Sequence, residues 1–159
     1  RTSSPYMVMQ MNYFIVETKD PYFIKAIYGA EDMYARVTPD GCVDYPQWCP
    51  TMDNTIWLVL YLENKIAGVL RGDKIGNKMV MAHIFIFENY RGKESPTWGK
   101  LALEYIDKYY NITTVLAITP FESAKRYAEA CGYKYITKLE KSIQVRGELL
   151  DQHLLEYKK

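Results

Sequence analysis

Apolar positions along the chain gather into short runs set between stretches of helical spacing. TIWLVLYL, from Thr55 to Leu62, and IAGVLR, from Ile66 to Arg71, flank a tight polar turn at Glu63, Asn64 and Lys65, which predicts a β-hairpin. A third run, KMVMAHIFIF from Lys78 to Phe87, is almost continuously apolar and predicts a central strand covered on both faces. Upstream, Met11 to Glu17 (MNYFIVE) predicts a first strand. Asp20-Pro21 then predicts a helix start, because aspartate accepts orphan amide hydrogens and proline tolerates the first helical position. That helix extends to about Gly29, and a short, weakly patterned helical piece follows through Arg36.

Downstream, Thr97 to Tyr110 has helical spacing: Leu101, Tyr105 and Ile106 share one side with Trp98, while Lys100, Glu104 and Lys108 stay in water. Val115 to Ile118 predicts a short buried strand, and Phe121 to Ala130 a helix closed by Gly132. Tyr133 to Thr137 begins another strand, and Ile143 to Tyr157 holds the last strand or hairpin. The segment from Thr38 to Asn54 carries three prolines, a glycine, two cysteines and Trp48, and reads as an ordered loop suited to walling a pocket. Three strands in a meander, followed by helix, strand, helix, strand, give an α/β (α+β) fold. The expected sheet is mixed, mostly antiparallel and twisted, with helices on both faces, in a single domain over residues 1–159.

Composition narrows the choice of partners. Apolar residues make up 48% of the 159, enough for a sizeable core, and 20 basic against 19 acidic side chains leave a formal charge of +1. Such a balance predicts no nucleic-acid partner, because phosphates favour a concentrated basic surface. Cys42, Cys49 and Cys131 make an odd set in a chain large enough to fold without staples, so reduced thiols and a cytoplasmic location are expected. Two histidines and a seven-residue cysteine spacing do not complete an ordinary zinc set. No apolar run reaches the roughly 20 residues that cross a bilayer, so no membrane partner is expected. Without an initiating methionine, Arg1 to Pro5 reads as a processed end, a tag remnant or a fragment boundary, with Met7, Met9 and Met11 as candidate natural starts.

Two segments carry a family resemblance. In IFIFENYRGKESPTWGKLALEYI, the residues Ile86, Tyr90, Arg91, Gly92 and Leu101 match the frame of an aliphatic strand residue, Arg-Gly, a turn and a long helix. In TPFESAKRYAEACGYKYI, Ala124, Tyr127, Gly132 and Tyr133 match a second helix that ends at a glycine and an aromatic residue before the next strand. With the preceding hairpin, about Thr55 to Thr137 resembles the GNAT superfamily of N-acetyltransferases. That resemblance implies acetyl-CoA as acyl donor and a small-molecule or protein amine as acceptor. It also implies direct transfer in a ternary complex, with the pantetheine arm pairing beside Ile86. The turn itself has a physical logic: a loop leading into a helix aims unpaired amides at an anion, and Arg91 adds a charged fork. Gly92, Lys93, Ser95 and Thr97 complete the expected cofactor-binding set.

Departures from the family pattern keep a second function in view. Glu94 and Pro96 stand where the family turn carries glycine or alanine; Glu94 adds negative charge and Pro96 removes an amide. Ser95-Pro96 also reads as a plain helix start. Family members often protonate the leaving thiolate with a tyrosine four residues before the glycine, where this chain has Ala128; Tyr127 is the neighbouring candidate acid, rotated by about 100°. His83, near the place where some members carry a base, suits proton removal from an amine, with a hydrogen-bonded core histidine as the other reading. It shares a face with Ile86 only if a bulge intervenes. Glu88 replaces the family proline. Cys131, at a helix end that disfavours thiolate, is not expected to be a nucleophile. Tyr45, Trp48 and Trp57 are candidates for a substrate or partner surface, and Gly68 for a close approach. The alternative to an acyltransferase is a non-catalytic assembly domain with a protein partner. In that reading the chain resembles degenerate members found among phage head-assembly and internal virion components, and the location becomes the virion.

Overall fold

The computed structural model describes the backbone of Met7–Gln10 and all of residues 12–159; Arg1 to Pro5, read as a processed end, tag remnant or fragment boundary, and Met11, one of the candidate starts, lie outside the described residues. Eight strands are described: β1 (Met7–Gln10), β2 (Tyr13–Glu17), β3 (Thr55–Leu62), β4 (Lys65–Lys74), β5 (Met79–Ile86), β6 (Thr114–Thr119), β7 (Lys134–Val145) and β8 (Glu148–Lys158). The helices are α1 (Pro21–Gly29), α2 (Met33–Val37), α3 (Pro96–Tyr110) and α4 (Glu122–Ala130). They build one sheet in the order β1-β2-β3-β4-β5-β6-β8-β7, and every neighbouring pair is antiparallel except β5–β6. This is the mixed, mostly antiparallel sheet expected. Strand β1 was not legible upstream of the first expected strand, and the final segment is a long hairpin.

Strand alternation assigns the two faces. In β3, Ile56, Leu58 and Leu60 pack under α3 with Leu101, Tyr105 and Ile106, while Trp57 and Val59 pack with Ile24, Ile27, Tyr28, Met33 and Tyr34 of α1 and α2. Burial on both faces explains the unbroken apolar run. Asp20 caps α1 as expected, its carboxylate accepting from the amides of Tyr22 and Phe23 at 3.0 and 3.3 Å. Helix α3 is tied to the sheet by polar bonds as well. Trp98 Nε1 donates to the Tyr61 carbonyl at 2.9 Å, Tyr105 donates to Glu17 Oε1 at 2.6 Å, and Tyr110 donates to Glu17 Oε2.

Gly68 does mark a close approach. In the β3–β4 ladder, Leu60 pairs with Gly68 but Tyr61 pairs with Ile66, so Ala67 is an extra residue that bulges β4. The bulge aims the Ala67 carbonyl at the end of β5, where it accepts from the Phe87 amide at 2.8 Å. Beside it Gly68 faces Ile86, and a β-carbon on Gly68 would stand 2.0 Å from the Phe85 carbonyl oxygen.

The 38–54 segment is ordered against the α1/α2 face. Trp48 packs on Tyr28 and Tyr34 with ring centroids 4.8 and 5.1 Å apart, and Tyr45 donates to the Lys25 carbonyl at 2.6 Å. Trp57 is 1% exposed. Of these candidates for a substrate or partner surface, Trp57 lies in the core, whereas Trp48 and Tyr45 are half-buried and Tyr45 lines a groove beside α1 and α2. The loop also reaches the β7–β8 hairpin. Asp40 accepts from the amides of Arg146 and Gly147, each at 2.8 Å, at a two-residue turn whose φ angles are 50° and 80°.

Candidate active site

Strands β5 and β6 pair only from Met79–Thr114 to Ala82–Ala117. Beyond that point β5 continues to Ile86 bonded to β4, and β6 continues to Thr119 bonded to β8. Two strands that start as neighbours and end on different partners leave a fork in the sheet, with Ala82 and Ala117 at its vertex. At its open end the chain leaves β5 through a 3-10 turn at Glu88–Tyr90 and enters α3 at Pro96.

The turn at residues 91–95 carries a run of backbone amides ahead of α3. Among the described residues, the amides of Gly92, Lys93 and Glu94 have no hydrogen-bond partner, whereas Ser95 N donates to Gly92 O and Thr97 N to Glu94 O, at 3.1 and 3.0 Å. Pro96 contributes no donor. The fit to a diphosphate therefore rests on three adjacent amides ahead of a fifteen-residue helix rather than on the whole turn. Arg91, Gly92, Lys93 and Glu94 are exposed, so the Glu94 side chain does not bury the amides. Ser95 is buried and does not cap α3; its hydroxyl donates to the Gly92 carbonyl at 2.7 Å and holds the turn closed.

Arg91 links this turn to the strand: its Nε donates to the Ile86 carbonyl at 2.9 Å, leaving its terminal nitrogens on the exposed side. The Ile86 carbonyl, near which the family resemblance places the pantetheine arm, thus already accepts one bond from the chain's own guanidinium and keeps a second lone pair.

His83 is the first residue of β5 past the fork vertex. The β4–β5 register runs without a break from Gly68–Ile86 to Lys74–Val80, so no bulge intervenes. Ile86 therefore packs under α3 with Val80 and Ala82, and His83 faces the α1 side with Phe85. Beside His83 stand two charged groups of β4: Arg71 Nε donates to Asp73 Oδ1 at 2.8 Å, and Asp73 Oδ2 lies 3.8 Å from His83 Nε2. Burial lowers the His83 pKa below the usual histidine value; Asp73 opposes that shift and Arg71 adds to it. Tyr28 of α1 completes the wall, its ring 5.8 Å from that of Phe85, and burial raises its phenol pKa. Sequence reasoning singled out His83 but not its neighbours Asp73 and Arg71. The available signal was period two: Arg71 and Asp73 interrupt the strand on the face opposite Leu70.

Tyr127, on α4, reaches the start of α3. Its hydroxyl donates to the Ser95 carbonyl at 2.7 Å, and burial, followed by Cys131, raises its pKa. Ala128 is buried, and Cys131 is buried against Gly99, where a β-carbon would stand 2.3 Å from its sulfur. Desolvation raises the Cys131 thiol to about 11, against nucleophilic use. Cys42 lines a shallow groove with Tyr28, Asp32, Tyr34, Thr38 and Asp44, so the 38–54 loop does wall a depression beside α1 and α2. Among the described residues no group of three or more His, Cys, Asp or Glu side chains could hold a metal ion, and no helix is long and apolar enough to cross a membrane.

No protein-family model matches the sequence, and no curated protein does. Solved structures do match the fold. The ribosomal-protein-S5-alanine acetyltransferase from Vibrio fischeri aligns with a TM-score of 0.77 at 14% identity, covering 96% of each chain. A ribosomal L7/L12 α-N-protein acetyltransferase, RimL, solved with coenzyme A, aligns at 0.76 and 11% identity, covering 96% of this chain and 97% of that one. The spermidine N-acetyltransferase from Vibrio cholerae, solved with coenzyme A and spermine, aligns at 0.73 and 14% identity over 92% of this chain and 95% of the other. The likeness spans nearly the whole chain, and at these identities it establishes the fold: the mixed α/β architecture of the GNAT-type acetyltransferases.

Proposed function

We propose that the chain is an acetyl-CoA-dependent N-acyltransferase, and the observation that carries this reading is the forked β5–β6 pair opening onto three unpartnered amides at the start of α3. The amides of Gly92, Lys93 and Glu94, with the outer nitrogens of Arg91 and the Lys93 ammonium, are the groups suited to a diphosphate. Ser95 and Thr97 act through the shape of the turn, since their amides are already bonded. Acetyl-CoA would supply an activated thioester carbonyl, and the fork admits an extended arm between Ile86 and β6. An amine arriving from the α1 side must lose a proton before it attacks, and His83 is the base placed on that side of the vertex. Direct attack needs no covalent intermediate on the protein. Tyr127, bonded to the Ser95 carbonyl, is assigned to bracing the turn.

The relatives' named acceptors are protein α-amines and a polyamine, so an amine, small or on a protein, is the proposed acceptor class. Calorimetric titration with acetyl-CoA tests the donor site. The expected result is micromolar binding that weakens about 10- to 100-fold in Arg91→Ala, the loss of one charge-assisted contact to phosphate. No heat at millimolar donor would overturn the reading. That outcome would favour a non-catalytic assembly domain.

A further inference from the structure

Resting on the acyltransferase reading, the geometry points to Asp73 as a positioning residue that fixes the ring of His83 and steadies the imidazolium formed when the acceptor amine gives up its proton. The pair is built across two strands. Arg71 and His83 are direct cross-strand partners, and Asp73 sits two residues further along β4 on the same face. Asp73 is itself held: Arg71 takes one carboxylate oxygen at 2.8 Å, and the Arg71 guanidinium lies 5.9 Å from the centre of the Trp57 ring. Only the second oxygen faces His83, at 3.8 Å from Nε2, a charge contact longer than a hydrogen bond.

That geometry divides the two ring nitrogens. A carboxylate facing Nε2 favours the tautomer with its proton there and leaves the lone pair on Nδ1. In the transfer step an N–H bond of the acceptor ammonium breaks and its proton moves to Nδ1; the freed electron pair forms the bond to the acyl carbon while the thioester C–S bond breaks, and the departing thiolate takes the second proton shed by the new amide nitrogen. The resulting imidazolium is held beside Asp73 until it releases the proton to solvent. His83 keeps 31% of its side-chain surface, which leaves that exit open. The groups facing the ring are Arg71 and Asp73 from β4 and Tyr28 from α1. Tyr28 remains a neutral phenol over the working range, and Arg71 keeps a positive charge that opposes the imidazolium, so Asp73 is the facing group whose charge favours it.

The test is Asp73→Asn, read by NMR titration of the imidazole carbon-bound protons and by steady-state rates on the same protein. With two histidines in the chain, His153 serves as internal reference: it lies against Tyr135 and Glu122 in another part of the sheet. The expected result is a fall of about one unit or more in the His83 pKa with His153 unmoved. The turnover number should drop about 10- to 100-fold at unchanged donor KM, as expected when a base loses its orientation. An unmoved His83 titration, or a normal turnover number, would overturn the proposal. A wild-type chain that binds donor yet transfers nothing would instead overturn the acyltransferase reading, and with it any catalytic purpose for the pair. The NMR shift, which needs no turnover, tells these failures apart.

Discussion

Gly68→Ala is expected to cost more than about 4 kcal/mol of stability, enough to leave much of the chain unfolded. The added methyl carbon would stand 2.0 Å from the Phe85 carbonyl oxygen and 2.9 Å from the Ile86 Cα, both backbone atoms, so no side-chain rotation relieves the contact. Relief would require β4 and β5 to separate at the bulge where Ala67 holds the Phe87 amide, and this is the wall of the fork. Gly72→Ala, on the same strand, is the control. Its methyl would meet a side-chain atom, Val80 Cγ1, at 3.1 Å, and a cost of roughly 1–3 kcal/mol is expected. Urea denaturation of the two variants decides it; equal midpoints would contradict the role given to Gly68.

The second large effect is chemical. His83→Ala is expected to lower the turnover number by about 10²- to 10⁴-fold while donor binding is retained, the range typical of a lost general base. The pH dependence follows from the direction of the His83 shift. Burial lowers its pKa, so the imidazole is neutral and able to accept a proton at pH 7, and activity is lost only as pH falls through a value below the ordinary 6.5. The same sign applies to stability: the folded chain favours neutral His83, and protonation at low pH works against the fold. A kcat/KM profile with no acid limb, or one unchanged in His83→Ala, would remove His83 from the reaction.

The legible part of this fold was the part whose sequence obeys one period over many residues. TIWLVLYL reads as a strand because both faces are buried, and Asp20-Pro21 reads as a cap because its carboxylate does that work locally. Strand β1 was missed because a four-residue edge strand is defined by its pairing with β2, not by its own pattern. For the candidate site, the Arg-Gly turn points to Arg91 and Gly92, yet the destination of the Arg91 side chain, the Ile86 carbonyl, is a contact that spacing alone does not fix. Ser95 was read as a cap or phosphate donor; helical backbone angles at Ser95 turn its hydroxyl back to Gly92 instead. Whether His83 shared a face with Ile86 depended on a bulge. The structure puts the bulge in β4 at Ala67, so β5 stays in register and His83 turns toward Asp73. Trp57 reads as a surface candidate from residue type alone, but strand alternation turns it into the core against α1 and α2.

The central claim is that the turn after Gly92 and the β5–β6 fork together receive coenzyme A, and amide-resolved NMR titration with coenzyme A tests it most directly. The account predicts the largest shifts at the amides of Gly92, Lys93 and Glu94, with a second set along Ile84, Phe85 and Ile86, where β5 runs on past its pairing with β6. Shifts confined to other surfaces, or none at millimolar ligand, would contradict it.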